Sequence, residues 1–246
     1  MNIISVITAR SGSKGVPHKN IKLLAGHSLL DWTIKASLKS RMITKTILST
    51  DSLEYAEIGK SCGADVPFLR PSELSGDTAT DLDVMKHSID FLDKAFNPPN
   101  LIVHLRPTTP LRSPEVIDDA IGVFLKNRKT LTALRSVHEM GETAYKAFEI
   151  SDSNFLTPLN NFHSVEEMNS SRQLFPKTYS ANGYVDVLDC DFIRKNNKIH
   201  GDKIWAYKTS FAIEVDTFED LEFLNWKVLG EKNLFRLLFG EELIYD

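Results

Sequence analysis

Apolar and polar positions along the chain fall into two alternating rhythms. Ile3-Ile4-Ser5-Val6-Ile7 is a short, nearly continuous apolar run that leads into Gly-rich sequence, the pattern of a buried strand feeding a loop. From Ser28 to Arg41, Leu29, Leu30, Ile34 and Leu38 recur near helical spacing, with Ser28 and Asp31 in capping-box positions. Thr46 to Ser49 predicts the next strand, and Ser52 to Cys62 a helix stopped at Gly63. Asp81 to Lys94 is amphipathic, and Leu101 to Leu105 is an apolar strand. Ser113-Pro114-Glu115 opens a further helix with an N-cap, a proline at the first helical position and an early acid. Thr130 to Val137 predicts one more strand. Between His138 and Tyr179 the rhythm breaks into short extended pieces and polar stretches such as Asn160-Asn161 and Asn169-Ser170-Ser171. This segment reads as an insertion that serves as a lid, a dimerisation arm, or both. Regularity returns at Tyr184 to Leu188, and Thr217-Phe218-Glu219-Asp220 is a capping box before a helix carrying Leu221, Leu224 and Val228.

Strands and helices alternating at these lengths predict an α/β fold: a doubly wound, mostly parallel sheet with helices on both faces. Ligands of such sheets sit beyond the carboxyl ends of the strands, so the residues following each strand carry the functional reading. At 246 residues the chain buries roughly 70–75% of its unfolded surface, enough for one full core. One domain over 1–246, with the insertion at about 138–179, is the expected organisation.

Composition narrows the chemistry. With 29 basic and 33 acidic residues the net charge is −4, which argues against a dedicated nucleic-acid surface. No run of the sequence approaches the ~18 apolar residues of a membrane span, and Arg10 cuts short the first apolar run, so a cytoplasmic location without membrane attachment is expected. Cys62 and Cys190 stand 128 positions apart in no CxxC pattern and read as reduced, buried residues. Against the acidic balance, Arg10, Lys14, His18, Lys19 and Lys22 fall within 13 residues that contain no acid. That island suggests a compact anionic ligand.

The island overlaps the loop Ala9-Arg10-Ser11-Gly12-Ser13-Lys14-Gly15, whose glycines allow backbone N–H groups to turn toward a phosphate while Arg and Lys neutralise its charge. It has neither GxxxxGK[ST] nor GxGxxG spacing, and a basic surface turn is the plainer alternative. After the strand at Leu101–Leu105 comes Arg106-Pro107-Thr108-Thr109-Pro110-Leu111-Arg112, a proline-stiffened loop with an arginine at either end. It reads equally as a ligand loop and as a helix start shaped by proline. In Ile213-Glu214-Val215-Asp216-Thr217 a strand would put both carboxylates on one side, able to hold a hard cation such as Mg2+, or simply facing solvent on a sheet edge. No HExxH or GxSxG motif occurs; His104 and the three tryptophans read as core.

Taken in order, these motifs resemble the acylneuraminate cytidylyltransferase family, over roughly Ile3 to Val228. Ala9 to Gly15 is similar to the family's nucleotide loop, followed by Lys19-Asn20, Ser49-Thr50-Asp51, Leu69-Arg70-Pro71, Asp77-Thr78-Ala79, Pro107 to Arg112, Ser171-Arg172-Gln173, Asn182-Gly183 and Glu214 to Thr217. The resemblance implies a Rossmann-like nucleotidyltransferase fold and a homodimer. It also implies transfer of a cytidylyl group from CTP to the anomeric hydroxyl of a 2-keto sugar acid, with release of pyrophosphate. Arg10, Lys14, Lys19, Asn20 and Arg70, with Ala9, Ser13, Thr80 and Asp81, would hold the nucleotide; Arg106, Thr108, Arg172 and Asn182 would bind the sugar acid; Asp216 and Glu214 would carry Mg2+. Arg10, Lys14 and Asp216 are the catalytic candidates. Arg106 stands where sialic-acid enzymes have a Gln, Glu214 where they have an Asp, and Ser180 near their usual Arg, which points to a legionaminic-type sugar at least as well as to N-acetylneuraminate. The rival readings are a nucleotidyltransferase of the same fold using GTP with a hexosamine phosphate, and a non-catalytic nucleotide-binding subunit.

Overall fold

The computed structural model describes residues 1–95, 98–159 and 164–243. Apart from a two-residue antiparallel pair, Leu23–Leu24 with His27–Ser28, the strands in chain order are β1 (Ile3–Thr8), β2 (Lys45–Ser49), β3 (Leu101–Leu105), β4 (Ala133–Glu139), β5 (Phe148–Ile150), β6 (Leu156–Pro158), β7 (Tyr179–Asp189) and β8 (Ile204–Lys208). The α-helices are α1 (Leu29–Leu38), α2 (Leu53–Cys62), α3 (Asp81–Ala95), α4 (Pro114–Asn127), α5 (Val165–Met168), α6 (Cys190–Asn196), α7 (Phe218–Lys227) and α8 (Lys232–Phe239). A six-stranded sheet has the order β8-β4-β7-β3-β1-β2. β1 runs parallel to β2 and β3, and β4 parallel to β8, whereas β7 is antiparallel to both its neighbours.

Local chemistry explains most boundaries. Ser28, Ser52 and Ser113 accept N–H bonds at the first turns of α1, α2 and α4, and Gly63, at φ +103°, ends α2 in the left-handed conformation that glycine tolerates. α1 stops at Leu38, short of the expected Arg41, because the Asp118 carboxylate on α4 accepts the N–H groups of Arg41 and Met42. β4 begins at Ala133 rather than Thr130, whose N–H and hydroxyl both bond to Asn127 O and close α4.

Strand alternation splits the core in two. Ile3, Ile7, Leu101, Val103, Leu105, Val185 and Val187 face α1, α2, α4, α7 and α8, while Ile4, Val6, Ile102 and Leu188 face α3 and α6. The core burial expected of tryptophan holds only for Trp32; Trp205 on the edge strand and Trp226 on α7 are 42% and 67% exposed. Both cysteines are free. No helix among the described residues is long and apolar enough to cross a membrane.

The reversed β7 explains the irregular middle of the chain. Glu139 pairs with Tyr179, so β4 and β7 form a long hairpin and residues 140–178 leave it at the end of the sheet where β1 and β3 also finish. Within that segment β5 and β6 form a small antiparallel ribbon. Asn160-Asn161 lies outside the described residues.

Candidate active site

The sequence puts its charged loops at strand ends, and the fold gathers them around one cavity of about 510 Å³. β1 delivers Thr8 and the loop carrying Arg10, Ser13, Lys14 and Gly15; β3 delivers Arg106 and Thr108; Arg70, Thr80 and Asp81 close one side, and Glu214 and Asp216 another. Five cationic and four carboxylate side chains line this cavity in a chain of net charge −4, so positive charge is concentrated where the strands end.

The Gly-rich loop is tied at both ends. Asp51, at the end of β2, accepts from Ser11 N–H and Ser11 Oγ, each at 2.9 Å, and Asn20 Nδ2 donates to Arg10 O at 3.0 Å. Gly15 packs so closely on the backbone of Asp216 that a Cβ there would collide with the Asp216 carbonyl oxygen. Arg10 Nη1 and Lys14 Nζ meet on Asp77, at 3.3 and 2.6 Å, and the Lys14 bond holds the Asp77 carboxyl below the usual carboxylate range. Lys19 Nζ lies 2.7 Å from Asp216 Oδ1. Arg70 is different. Its side chain is buried, burial pulls its pKa down, and Nε and Nη2 have no hydrogen-bond partner among the described residues although the side chain borders the cavity. Buried donors left this way cost about 1–3 kcal/mol each, so an anionic or carbonyl-bearing ligand gains by meeting them.

Residues 213–216 are not a strand, contrary to the sheet-edge expectation, yet the alternation has the expected effect. Val215 N–H donates to Thr108 O at 2.8 Å, which lays the segment across the β3 loop instead of along the sheet. Ile213 and Val215 point into the core while Glu214 and Asp216 face the cavity. Thr108 Oγ1 donates to Glu214 Oε1 at 3.2 Å, and the Thr217–Asp220 capping box, with Asp216 N–H also on Asp220, fixes Asp216 at the start of α7.

Three expected residues stand elsewhere. Ala9 is fully buried, contributing a backbone bond to Ser49 O and no surface to the cavity. Asn182 is consumed in its turn: Nδ2 donates to Thr209, Oδ1 accepts from Tyr184 N–H, and its carbonyl accepts from Thr109. Arg172 sits in a separate depression on the 140–178 segment, paired with Glu139 and Met140 O. The two arginines of the proline loop also part company. Arg106 borders the cavity, whereas Arg112 is fully buried, donating to the carbonyls of Arg106, Gly183 and Tyr184 and to Thr33 Oγ1.

Asp51 and Asp77 belong to motifs that carry the resemblance but have no role assigned by it, and Asp186 stands neither in a motif nor among the candidate residues. The first two carried a signal, a carboxylate at a strand end or beside a basic loop. Asp186 sits fully buried in an apolar strand, a position a carboxylate occupies only with a partner. Burial acts to raise its pKa, but His200 at 3.8 Å and Arg106 at 3.0 Å outweigh it and hold the group well below the usual carboxylate range.

A profile of the family described as "Cytidylyltransferase" matches residues 4–228. The chain belongs to the cytidylyltransferase family. This cytidylyltransferase is 38% identical over 141 residues to the CMP-N,N'-diacetyllegionaminic acid synthase of Legionella pneumophila, covering 56% of this chain and 59% of that protein. It is 28% identical over 239 residues to the pseudaminic acid cytidylyltransferase of Campylobacter jejuni, covering 95% of this chain and 98% of that protein. In fold it matches a CMP:2-keto-3-deoxy-manno-octonic acid synthetase solved with CTP, with a TM-score of 0.69 at 13% identity, covering 94% of this chain and 100% of that one.

Next to the site of this cytidylyltransferase lies His104, fully buried, with Nε2 3.0 Å from Thr8 Oγ1. Burial first, and the Arg106 charge second, push its pKa down to about 3, so the folded state holds it neutral. Between about pH 6.5 and 3 the unfolded chain therefore binds a proton that the folded chain does not, and stability falls on acidification by up to about 1.4 kcal/mol per pH unit. Urea unfolding of His104→Gln between pH 6.5 and 4.5 is expected to show a flatter pH slope than the wild-type chain; equal slopes refute the assignment.

Proposed function

We propose that the enzyme transfers the cytidylyl group of CTP to the anomeric hydroxyl of a nonulosonic 2-keto sugar acid, forming a CMP-sugar and pyrophosphate. The observation that carries this reading is the cavity itself: the buried Arg70, with unpartnered donors, borders the same space as the Gly15-packed loop and the Glu214/Asp216 pair. The names of the Legionella and Campylobacter relatives supply the acceptor class. Reactions of this kind depend on alignment and charge more than on covalent help from the protein. Arg10 and Lys14 exchange Asp77 for triphosphate oxygens, Lys19 orients the Asp216 carboxylate, and Arg70, Asn20, Ser13, Thr80 and Asp81 border the nucleotide.

Two carboxylates opening onto one cation-rich cavity fit Mg2+, which takes one or two carboxylates plus waters and phosphate oxygens. Asp216 and Glu214 would hold the ion, which when bound supplies Lewis-acid charge at the α-phosphate. For the acceptor, a legionaminic-type acid fits at least as well as N-acetylneuraminate, because Arg106 and Ser180 stand where sialic-acid enzymes have a Gln and an Arg. A single nucleotidyltransferase domain and a homodimer through the 138–179 arm complete the proposal. Phe148, Ile150, Phe155, Leu156 and Leu159 are exposed on the β5–β6 ribbon. A monomer in sedimentation at micromolar concentration removes the dimer.

The deciding experiment measures pyrophosphate release with Mg2+ and CTP, offering N-acetylneuraminate, a legionaminic-type acid and Kdo in parallel. Release with one acid is expected. Silence with all three, with turnover of GTP and a hexosamine phosphate, would overturn the reading of base and acceptor.

A further inference from the structure

The peptide between Arg10 and Ser11 is held at both of its polar ends. Its carbonyl accepts from Asn20 Nδ2 at 3.0 Å, and its N–H donates to Asp51 Oδ1 at 2.9 Å. The second oxygen of that carboxylate, Oδ2, accepts from Ser11 Oγ at 2.9 Å, so one side chain takes both donors of one residue. Asp51 stands on a stiff corner. Thr50 before it is wholly buried and accepts from Ser52 N–H through Oγ1, while Ser52 after it caps α2. Thr50 O also accepts from Arg70 N–H at 2.7 Å, and Ser49 O from Ala9 N–H at 3.0 Å. Toward the far end of the loop, the buried Tyr55 on the first turn of α2 places Oη 3.4 Å from His18 Nδ1. The end of β2 and the start of α2 therefore grip the chain on both sides of Lys14. Asp51 does not line the cavity, whereas Arg10, Ser13 and Lys14 do. Midway between Arg10 and Lys14, a Cβ added at Gly12 would meet nothing within 4 Å, so packing does not confine the loop there.

We propose that Asp51 is a positioning residue for the nucleotide: its carboxylate fixes the Arg10–Ser11 peptide, and with it the aim of Arg10 and Lys14 at the triphosphate, without touching the ligand. This rests on the CTP reading above and goes beyond it: the loop supplies the charge, and a carboxylate on another strand supplies the aim. With glycine at two of its seven positions, the loop from Ala9 to Gly15 loses much freedom when it is ordered. A partner that orders it before the ligand arrives leaves more of the interaction energy for binding. The task needs two atoms at the right spacing more than it needs charge, since a serine hydroxyl can donate to an oxygen or accept from an amide nitrogen.

The test is calorimetric binding of CTP and of CMP, with Mg2+ present, to the wild-type chain, Asp51→Ala, Asp51→Asn, Ser11→Ala and the double alanine variant. Pyrophosphate release is followed alongside with the sugar acid that the wild-type chain turns over. Hydrogen bonds to a charged group correspond to roughly 10–100-fold, so Asp51→Ala is expected to weaken CTP binding and raise the CTP KM by about that factor, with the sugar-acid KM within about twofold. CMP lacks the two outer phosphates, and its affinity should change by no more than about threefold, whereas a chain merely loosened loses both nucleotides alike. Asp51→Asn keeps two atoms in place and should return CTP affinity to within about threefold of wild type. Ser11→Ala gives up only the hydroxyl bond, a loss of about 3–10-fold, and the double alanine variant should be no worse than Asp51→Ala. Equal losses for CTP and CMP, Asp51→Asn as weak as Asp51→Ala, or additive losses in the double variant overturn the proposal. If Asp51→Ala does not fold, Ser11→Ala decides: unchanged CTP affinity refutes it. A wild-type chain that binds no CTP overturns the functional reading itself, whereas a wild-type chain that binds CTP no better than Asp51→Ala does overturns only the role of Asp51.

Discussion

Asp216→Asn is expected to lower the rate of pyrophosphate release by about 10³-fold or more at saturating CTP, because the change removes one of the two carboxylates available to the divalent cation. The backbone around it has other anchors: Asp220 caps α7 and holds Asp216 N–H, Val215 N–H bonds to Thr108 O, and Gly15 packs on the Asp216 carbonyl. None of these needs the Asp216 carboxylate. The lost ion pair with Lys19 is a contact whose acidic partner is 69% exposed, worth at most about 1 kcal/mol in stability. Unfolding should therefore stay within a few degrees of the wild-type chain while kcat falls. The kinetic form of the loss is also diagnostic. An interaction made mainly in the transition state lowers kcat and kcat/KM together, whereas simple loss of nucleotide binding raises the CTP KM at constant kcat. Turnover within threefold of wild type, or a pure KM effect, would remove Asp216 from the catalytic group.

The lining of the candidate cavity is legible where chemistry is carried by residue type at strand ends. Arg10, Lys14 and Lys19 announce an anion because no acid interrupts them, and Arg70, Thr80, Asp81, Arg106 and Thr108 follow because a largely parallel sheet aligns strand ends. The alternation at 213–216 gave the right faces even though the segment is no strand, since burial of Ile213 and Val215 demands the same two-residue period in any extended chain. The direction of β7 was not legible: Tyr-Val-Asp-Val-Leu reads the same in either sense, and only its pairing with β4 and β3 reverses it. For the same reason Arg172 and Asn182, placed by motif order, fell outside the cavity. Order along the chain says nothing of where a 39-residue connection (140–178) projects from a hairpin, nor which polar side chains a turn consumes for itself. Asp186, a carboxylate set among apolar residues of β7, carries a signal of a buried partner that residue type alone does not convert into a role.

Arg106 and Arg112 bracket one loop and were indistinguishable as sequence; the fold sends one to the cavity and the other to the interior, and the second should prove the more important for stability. Arg112 is wholly buried and still protonated at neutral pH, since burial pulls its pKa down only to about 10. It donates 2.7–3.1 Å bonds to Tyr184 O, Thr33 Oγ1, Arg106 O and Gly183 O, stitching the β3 loop to the turn at the middle of β7 and to α1. Arg112→Met fills much of the volume and removes the cost of burying a charge, which on its own favours the variant. Against that, three carbonyls and a hydroxyl lose their donor in a place water does not reach, at about 1–3 kcal/mol each. The second effect dominates, giving a net loss of about 3–5 kcal/mol and, for a chain of this size, a melting temperature lower by roughly 10 °C. Arg112→Lys keeps the charge but can satisfy fewer of the acceptors, and should fall between the two. Urea and thermal unfolding of the three proteins measure this ordering. A methionine variant as stable as the wild-type chain would show that the loop is held by its prolines and by Val215 on Thr108, leaving Arg112 a passive filler. The expected ordering would instead make the cationic knot beneath the loop the element that keeps Arg106 and Thr108 at the mouth of β3.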